Sequence, residues 1–307
     1  MGAREWGMLA MLSVLWGASF LAIEIALTGL PTLTVVAARV SLAAFGLFLF
    51  MKVTGVSLPG VAAERPARIW RALALMGLLN NIFPFCLIVW GQTQITSSLA
   101  SILNATMPLF TVFVAHLLTQ DEKLTPSRLG GVLIGFIGVV SIIGPGALMG
   151  MTGELMGQLA VLAASLSYAF GVVYGRRFIA LGLKPVQMAF GQVFMAAIML
   201  VPVAIIVDQP FSGPLPEAKV WTALLSLSLL STALAYLIYF RLIADAGATS
   251  ASLVTLTIPV VATTFGILFL GERFLAAHGF GMALIAIGLI VQDGRLLRRF
   301  KVGEKVR

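Results

Sequence analysis

Charged residues are scarce in this sequence and make up 10% of its 307 residues, while hydrophobic residues make up 60%. A soluble domain has about 45–50% apolar and about 25% charged residues. A soluble fold of this length could not cover so much apolar surface with so few charges. The composition therefore predicts a protein that lies within a lipid bilayer.

Cysteine and histidine are nearly absent, with a single cysteine, Cys86, and two histidines. One cysteine excludes an intrachain disulfide, and the spacing typical of zinc sites does not occur. The sequence also has no HExxH, GxSxG or Walker A motif. We therefore predict no metal, no cofactor and no catalytic residues, which leaves an intramembrane enzyme as a remote alternative. ATP-driven pumping by this chain alone is excluded.

Long apolar runs fill most of the chain, and we number them as spans one to ten. A helix needs about 20 apolar residues to cross a hydrocarbon core of about 30 Å. The runs do not alternate between polar and apolar residues as strands of a barrel would. The predicted spans are residues 6–26, 31–53, 69–90, 98–119, 127–144, 154–175, 186–207, 219–240, 250–270 and 276–293. The sequence predicts an all-α, multi-pass membrane protein.

Lysine and arginine fall almost entirely on one side of these spans. If the N-terminus lies inside, 17 of the 20 are in inside segments, Lys219 and Arg273 are outside, and Arg39 is within span two. Positively charged loops remain in the cytoplasm. We predict that both termini are cytoplasmic. The net charge of +8 then reflects orientation and contact of the basic C-terminal tail with anionic lipid, not a nucleic-acid partner.

An internal repeat pairs spans four and nine. The stretch "SSLASILNATMPLFTVFVAHLLTQDEKLT" is similar to "TSASLVTLTIPVVATTFGILFLGERFL", which places Pro108 opposite Pro259. Each apolar run then ends in an acid beside a base, "EK" in one copy and "ER" in the other. Such self-similarity indicates duplicated structural units.

The repeat predicts the architecture. Each copy holds five spans, and an odd number of spans means that the second copy crosses the bilayer in the opposite sense. Inverted repeats are typical of secondary transporters, whose substrate site lies near the midplane between the repeats. We predict two inverted five-helix repeats around a central cavity, comprising residues 1–144 and 145–307.

Prolines and polar side chains interrupt several apolar runs near their middle. Pro84, Pro108 and Pro259 are predicted to bend spans three, four and nine, because a proline frees a carbonyl in the preceding turn. Irregular backbone at this depth is tolerated where it faces protein or water. The candidate substrate-binding residues are Trp16, Ser19, Asn80, Asn81, Asn104, Met107, Tyr168, Tyr236 and Thr255.

These candidates match a small zwitterion. Amides can bind the carboxylate and ammonium of an amino acid, while Trp16, Tyr168 and Met107 supply an apolar wall. Adjacent amides such as Asn80 and Asn81 are costly in lipid unless they are paired or hydrated. Ordinary packing, or anchoring at the membrane interface, is the alternative for each aromatic residue.

Glu24 and Arg39 are the ionisable residues plainly within spans. Arg39 lies eight residues after Pro31, about 12 Å into span two at 1.5 Å per residue. An arginine side chain reaches several ångström along a helix. We predict an ion pair between Glu24 and Arg39 near an outer gate, with proton coupling by Glu24 as the alternative. No lone carboxylate lies at the midplane, which favours facilitated transport over proton exchange.

The ordered motifs resemble one known group of proteins. Two five-span repeats, "WGASF" in span one, Arg39 in span two and the "P…EK" and "P…ER" patterns resemble the drug/metabolite transporter superfamily. More narrowly, the chain resembles EamA-type metabolite exporters of the bacterial inner membrane over essentially its whole length. The resemblance implies outward movement of small metabolites, often amino acids or their derivatives, and aromatic amino acid exporters are one branch.

We therefore expect an exporter of amino acids or related metabolites that works by alternating access. The runner-up is proton-coupled efflux of hydrophobic drugs or cations, which gains support if Glu24 faces the central cavity unpaired. Glycines four apart, Gly131 and Gly135 in span five and Gly171 and Gly175 in span six, allow close helix contacts. We expect these contacts inside the bundle and a monomeric protein.

Overall fold

The structure is a computed structural model that describes residues 2–61, 64–120, 122–144, 152–247 and 251–293. Ten helical spans make up most of this part of the chain: Ala3–Leu27, Thr32–Val53, Pro66–Gly91, Ser97–Leu118, Pro126–Ile143, Gly153–Gly175, Pro185–Asp208, Ala218–Ala246, Val254–Leu270 and Ala276–Asp293. Eight are long and apolar enough to cross a membrane, and spans nine and ten are shorter apolar helices. The predicted all-α fold is confirmed. The second repeat is predicted to begin at residue 145, and this position and the basic tail lie outside the described residues.

Threonine caps and prolines mark where several spans begin. The hydroxyls of Thr96, Thr125 and Thr152 each accept a hydrogen bond from the backbone N–H three residues later. Such N-caps satisfy N–H groups that have no partner within the helix. Proline occupies the first turn of spans three, five and seven, where its missing N–H costs nothing.

The spans of one repeat pack against those of the other. Span one packs along span nine, and span six packs along span four. Span six is the repeat counterpart of span one, and span nine is that of span four, so the two contacts are equivalent under the repeat. Spans two and seven form one direct pair and spans five and ten form another. The two copies therefore interlock along their whole length, so their shared interface runs through the centre of the bundle.

Glycines allow spans five and ten to cross at backbone contact. A Cβ atom on Gly138 would lie 2.7 Å from the carbonyl oxygen of Gly281, and a Cβ on Gly288 would lie 2.5 Å from that of Gly131. Both distances are too short for a real side chain. The predicted close contacts of Gly131 and Gly135 within the bundle are thus confirmed, with Gly131 against Gly288 of span ten and Gly135 against both Gly288 and Leu109 of span four.

The backbone widens at corresponding places in spans three and eight. Residues Leu78–Ile82 and Ser226–Leu234 form π-helical segments, in which hydrogen bonds reach one residue further than in an α-helix. Such segments are rare and frequently occur at functional sites. Pro84 follows the first of them and begins a regular α-helix. Both widened segments carry polar residues at mid-span.

Pro108 and Pro259 occupy different local structures. Span four is interrupted at Ala105 and Thr106, just before Pro108. Span nine, by contrast, has Pro259 inside the continuous helix Val254–Leu270, which follows a turn at residues 252–253. The two prolines match in sequence but take different positions relative to the break in each helix.

Candidate functional site

A polar cluster at mid-span joins the two repeats, with the hydroxyl of Tyr236 at its centre. The side-chain amide of Asn81 donates to this oxygen at 3.1 Å and that of Asn80 at 3.4 Å. Asn80 also donates to the amide oxygen of Gln192 at 3.0 Å. Two members come from span three of the first repeat, and the others from spans seven and eight of the second. Spans three, seven and eight thus meet at this cluster.

The π-helical segment of span three presents both amides to the same partner. Consecutive residues of an α-helix point about 100° apart, so Asn80 and Asn81 would diverge in a regular helix. Gly171 of span six leaves room for Asn80, whose Oδ1 would lie 3.4 Å from a Cβ built at that glycine. Asn81 is 0% exposed, and its Oδ1 has no hydrogen-bond partner. The cluster therefore ends in a buried, unused acceptor.

Arg39 lies next to this cluster and is only 6% exposed. Its Nε donates to the hydroxyl of Thr232 at 2.9 Å, and its guanidinium lies 3.7 Å from the ring centre of Phe85. A cation over an aromatic face is attracted by the ring quadrupole. Neutral groups thus hold this buried cation.

Arg39 and the amide cluster form two adjacent layers. Phe85 follows Asn81 by four residues on span three, and Thr232 precedes Tyr236 by four on span eight. Residues four apart lie one above the other on a helix face. The layer of Arg39, Phe85 and Thr232 therefore lies about one helical turn from the layer of Asn81 and Tyr236.

The predicted ion pair between Glu24 and Arg39 is wrong. Among the residues that the structure describes, the acid–base contacts do not include this pair. The side chain of Gln92 instead donates to Glu24 at 3.4 Å and to the carbonyl of Phe20 at 2.9 Å. Arg39 points into the interface between the repeats, because its face of span two packs against span eight.

Glu24 lines a pocket of about 530 Å³ that does not contain the central cluster. The pocket is at the end of the bundle that the charge distribution predicts to face outside, here called the outer end. It is lined by Glu24, Leu27, Thr28, Leu30, Pro31, Thr32, Gln92, Thr93 and Asp208. Within the described ranges, no group of three or more acidic, histidine or cysteine side chains could hold a metal.

The remaining aromatic candidates, Trp16 and Tyr168, are half-buried. The Trp16 ring lies 5.2 Å from that of Tyr239, centre to centre, at an angle of 53°. Tyr168 is half-buried against the main hydrophobic core. The hydroxyl of Ser19 donates to the carbonyl of Trp16 at 2.6 Å, so it is satisfied within its own helix. Met107, in the middle of span four, and Thr255, in the first turn of span nine, are half-buried.

Asn104 contacts span six and not the Tyr236 cluster. The Ser165 hydroxyl lies 3.4 Å from the Asn104 carbonyl, which the missing N–H of Pro108 leaves free, and 3.5 Å from its Oδ1. A similar contact occurs in the other half, where the hydroxyls of Ser13 and Thr257 are 2.5 Å apart. Serines of spans one and six therefore satisfy polar groups near the prolines of spans nine and four.

Two carboxylates of the second repeat accept hydrogen bonds from the first repeat at the outer end. Glu272 accepts hydrogen bonds from the backbone N–H groups of Ser97 and Ser98 at 2.8 and 3.0 Å and from the Ser98 hydroxyl. Asp208 accepts from the N–H and hydroxyl of Thr34 at 2.7 and 2.9 Å. Negative charge at a helix N-terminus is stabilising. The counterpart of Glu272 in the repeat, Glu122, binds Arg176 instead.

Sequence reasoning missed three residues that hold these groups together. Gln192, Thr232 and Phe85 contact Asn80 or Arg39 directly. Gln192 could have been found, because it is an isolated amide within an apolar run, the same signal that marked Asn80. Thr232 and Phe85 carry no such signal, because threonine and phenylalanine are common in membrane helices.

The chain is similar to known proteins in both sequence and fold. The chain is 27% identical over 297 residues to the uncharacterized transporter YoaV of Bacillus subtilis, covering 95% of this chain and 98% of that protein. A probable amino-acid metabolite efflux pump of Escherichia coli is 27% identical over 300 residues, covering 94% and 95%. A solved crystal structure shares the fold with a TM-score of 0.68 at 19% identity, covering 97% of this chain and 100% of the other.

The family comparison also recovers the repeat. The sequence profile of the EamA-like transporter family matches the chain twice, over residues 5–144 and 155–292. The two matches cover all ten spans except the first two residues of spans one and six and the last residue of span ten, and the first match ends at residue 144. The resemblance seen in the motifs is confirmed, and the chain belongs to the EamA-like transporter family.

Proposed function

We propose that this protein is a secondary transporter that exports amino acids or related small metabolites across the bacterial inner membrane. Both termini would lie in the cytoplasm, and transport would proceed by alternating access without a metal, a cofactor or a catalytic step. The observation that carries this proposal is the polar cluster of Asn80, Asn81, Gln192 and Tyr236, which both repeats build at mid-span. Substrate sites of transporters with inverted repeats lie at this interface.

The composition of the cluster supports a small polar substrate. Amide and phenol groups offer both donors and acceptors, which suits a compound that carries carboxylate and ammonium groups. The neighbouring pair of Trp16 and Tyr239 offers an apolar surface for a side chain. The efflux pump named above, similar over nearly the whole chain, supports amino-acid-type cargo.

The alternative of drug or cation efflux is less well supported. This alternative gains support if Glu24 faces the central cavity unpaired, whereas Glu24 contacts Gln92 beside the outer pocket. The buried cation Arg39 beside the central cluster would repel a cationic substrate. Facilitated transport is therefore preferred to proton exchange.

Counterflow in proteoliposomes tests the proposal. Vesicles preloaded with unlabelled amino acids should accumulate the same labelled amino acid, with and without a pH gradient. Accumulation of no amino acid or derivative, together with accumulation of a cationic drug, would contradict the proposal. A strict requirement for the pH gradient would contradict facilitated transport alone.

Variants connect transport to the described site. Trp16→Ala and Asn104→Ala should each reduce counterflow at least several-fold while the protein is still produced and inserted. Trp221→Ala is the matched control, because Trp221 is exposed at the start of span eight. Unchanged transport in both test variants would remove Trp16 and Asn104 from the substrate path.

A further inference from the structure

Arg39 is a buried cation without an acidic partner. A charge inside the membrane usually pairs with an opposite charge, because leaving it unpaired in a low-dielectric interior is costly. Here the recorded contacts of Arg39 are the Thr232 hydroxyl and the Phe85 ring, both neutral. No carboxylate forms an ion pair with Arg39 anywhere in the described residues. The site therefore carries an uncompensated positive charge.

The end of this side chain remains available for a ligand. An arginine has five N–H donors in a planar fork, and only the Nε donor is used, by Thr232. Neither terminal nitrogen has a hydrogen-bond partner among the side chains and backbone groups that the structure describes. The ring of Phe85 packs against one side of the guanidinium. A fork fixed in this way matches the two oxygens of a carboxylate.

A second unused group lies one turn away. The Oδ1 atom of Asn81 is buried and has no hydrogen-bond partner, while its Nδ2 donates to Tyr236. Buried polar atoms are nearly always paired, so an exception calls for an explanation such as a bound water, ion or ligand. An unused donor fork and an unused acceptor thus lie in adjacent layers of the interface between the repeats.

We propose that the terminal guanidinium nitrogens of Arg39 bind the carboxylate of the exported compound. Asn81 Oδ1 then accepts a hydrogen bond from its ammonium group when one is present. This inference rests on the proposed export function and narrows the substrate class to compounds with a free carboxylate. Decarboxylated amines and esters are excluded from that class, because they leave the Arg39 charge unpaired.

Matched ligands test the requirement for a carboxylate. The probes are phenylalanine and leucine, their methyl esters, the corresponding amines phenethylamine and 3-methylbutylamine, and the corresponding acids 3-phenylpropionate and 4-methylpentanoate. Binding is measured as the rise in melting temperature of the purified protein with increasing ligand, and transport by counterflow. The wild type should bind the amino acids and the acids, while the amines and esters should bind at least tenfold more weakly.

Variants at Arg39 test the residue itself. Arg39→Gln should weaken carboxylate binding about tenfold to a hundredfold, because a charged hydrogen-bonded pair is lost. Arg39→Lys should fall between Arg39→Gln and the wild type, since it keeps the charge and loses the fork. Arg273→Gln, in the exposed loop before span ten, removes the same charge and should bind like the wild type. If Arg39→Gln does not fold, Arg39→Lys and the ligand series on the wild type decide the question.

The outcomes separate this inference from the proposed function. Amino acid transport that is unaltered in Arg39→Gln, or amines and esters that bind as well as the acids, overturns the role of Arg39 and leaves export standing. Binding of the acids without transport of any amino acid supports Arg39 and overturns the amino acid function. If no carboxylate binds to the wild type, both proposals fail.

Discussion

Tyr236 shows how single polar residues are accommodated at mid-membrane. Its hydroxyl accepts from two amides, and one of these amides also binds Gln192. Every buried polar group that lacks a partner costs about 1–3 kcal/mol. A network shared by three helices lowers this cost and aligns its members. It also couples the two repeats, so a change in their relative position changes the cluster.

Tyr236→Phe removes the shared acceptor and leaves the ring in place. The amides of Asn80 and Asn81 then lose a partner, which should destabilise the protein by about 1–3 kcal/mol and lower transport about tenfold. Counterflow and the melting temperature in detergent are the measurements. Tyr174→Phe is the matched control, because Tyr174 packs on Phe178 away from the cluster. Equal behaviour of the two variants would show that the hydroxyl of Tyr236 has no special role.

Glycine contacts decide how spans five and ten pair. Gly131 and Gly288 approach at backbone distance, and so do Gly138 and Gly281. Close approach of helices in a membrane depends on small residues, because lipid offers no hydrophobic driving force between helices. Span five of the first repeat and span ten of the second are equivalent, so each of these helices packs against its own repeat counterpart.

Gly131→Ala should disrupt this pair of helices. The added Cβ would overlap the carbonyl oxygen of Gly288 and lie 2.6 Å from the backbone nitrogen of Gln292, and neither can move independently of its helix. Overpacking of this kind costs about 1–3 kcal/mol, which should lower the melting temperature and the yield of monodisperse protein. The adjacent Gly130→Ala is the control, because nothing lies within 4 Å of its Cβ position. A wild-type melting temperature for Gly131→Ala would contradict the packing.

Glu272 connects two elements that are distant in sequence. It follows span nine of the second repeat and caps the N-terminus of span four in the first. The acid of the "ER" pattern therefore has a structural role at the outer end, which links the repeats there.

Glu272→Gln should weaken this cap. The substitution removes the charge and replaces one acceptor oxygen with an NH₂ donor that faces N–H groups. The expected loss is about 1 kcal/mol, seen as a lower melting temperature. Glu217→Gln is the control, because Glu217 forms an exposed ion pair with Lys219, and exposed pairs contribute little. A Glu272→Gln variant as stable as Glu217→Gln would contradict the capping role.

The whole molecule is organised by duplication. Five spans per copy and the interlocked pairing of spans one with nine, four with six, two with seven and five with ten place polar residues of both copies at one interface. The distribution of lysine and arginine in the loops predicts the orientation of this bundle in the bilayer.

Cysteine labelling in cells tests the orientation. In a Cys86→Ser background, Ser212→Cys in the loop between spans seven and eight should react with a membrane-impermeant maleimide added outside. Arg65→Cys, in the loop before span three, should react only after the membrane is opened, because that loop is predicted to be cytoplasmic. The reverse pattern would invert the topology, and a reaction at both positions would indicate mixed insertion.

Much of this protein can be read from the order of its residues. Composition determined that it is a membrane protein, run length determined the number of spans, and the repeated proline and acid–base patterns determined the duplication. These features are local or periodic, so they can be recognised without knowledge of packing. They also located Asn80 and Asn81 as mid-span polar residues, and Tyr236 as a candidate nearer the cytoplasmic end of span eight.

Only the tertiary structure decided which of these residues meet. The rotation of each helix about its axis depends on contacts with helices far away in sequence, such as span two against span eight. That rotation directs Arg39 to Thr232 and Phe85 and away from Glu24, and it brings Gln192 to Asn80. Spacing along the chain determines the depth of a side chain in the membrane, whereas its partner is determined by how the two repeats pack.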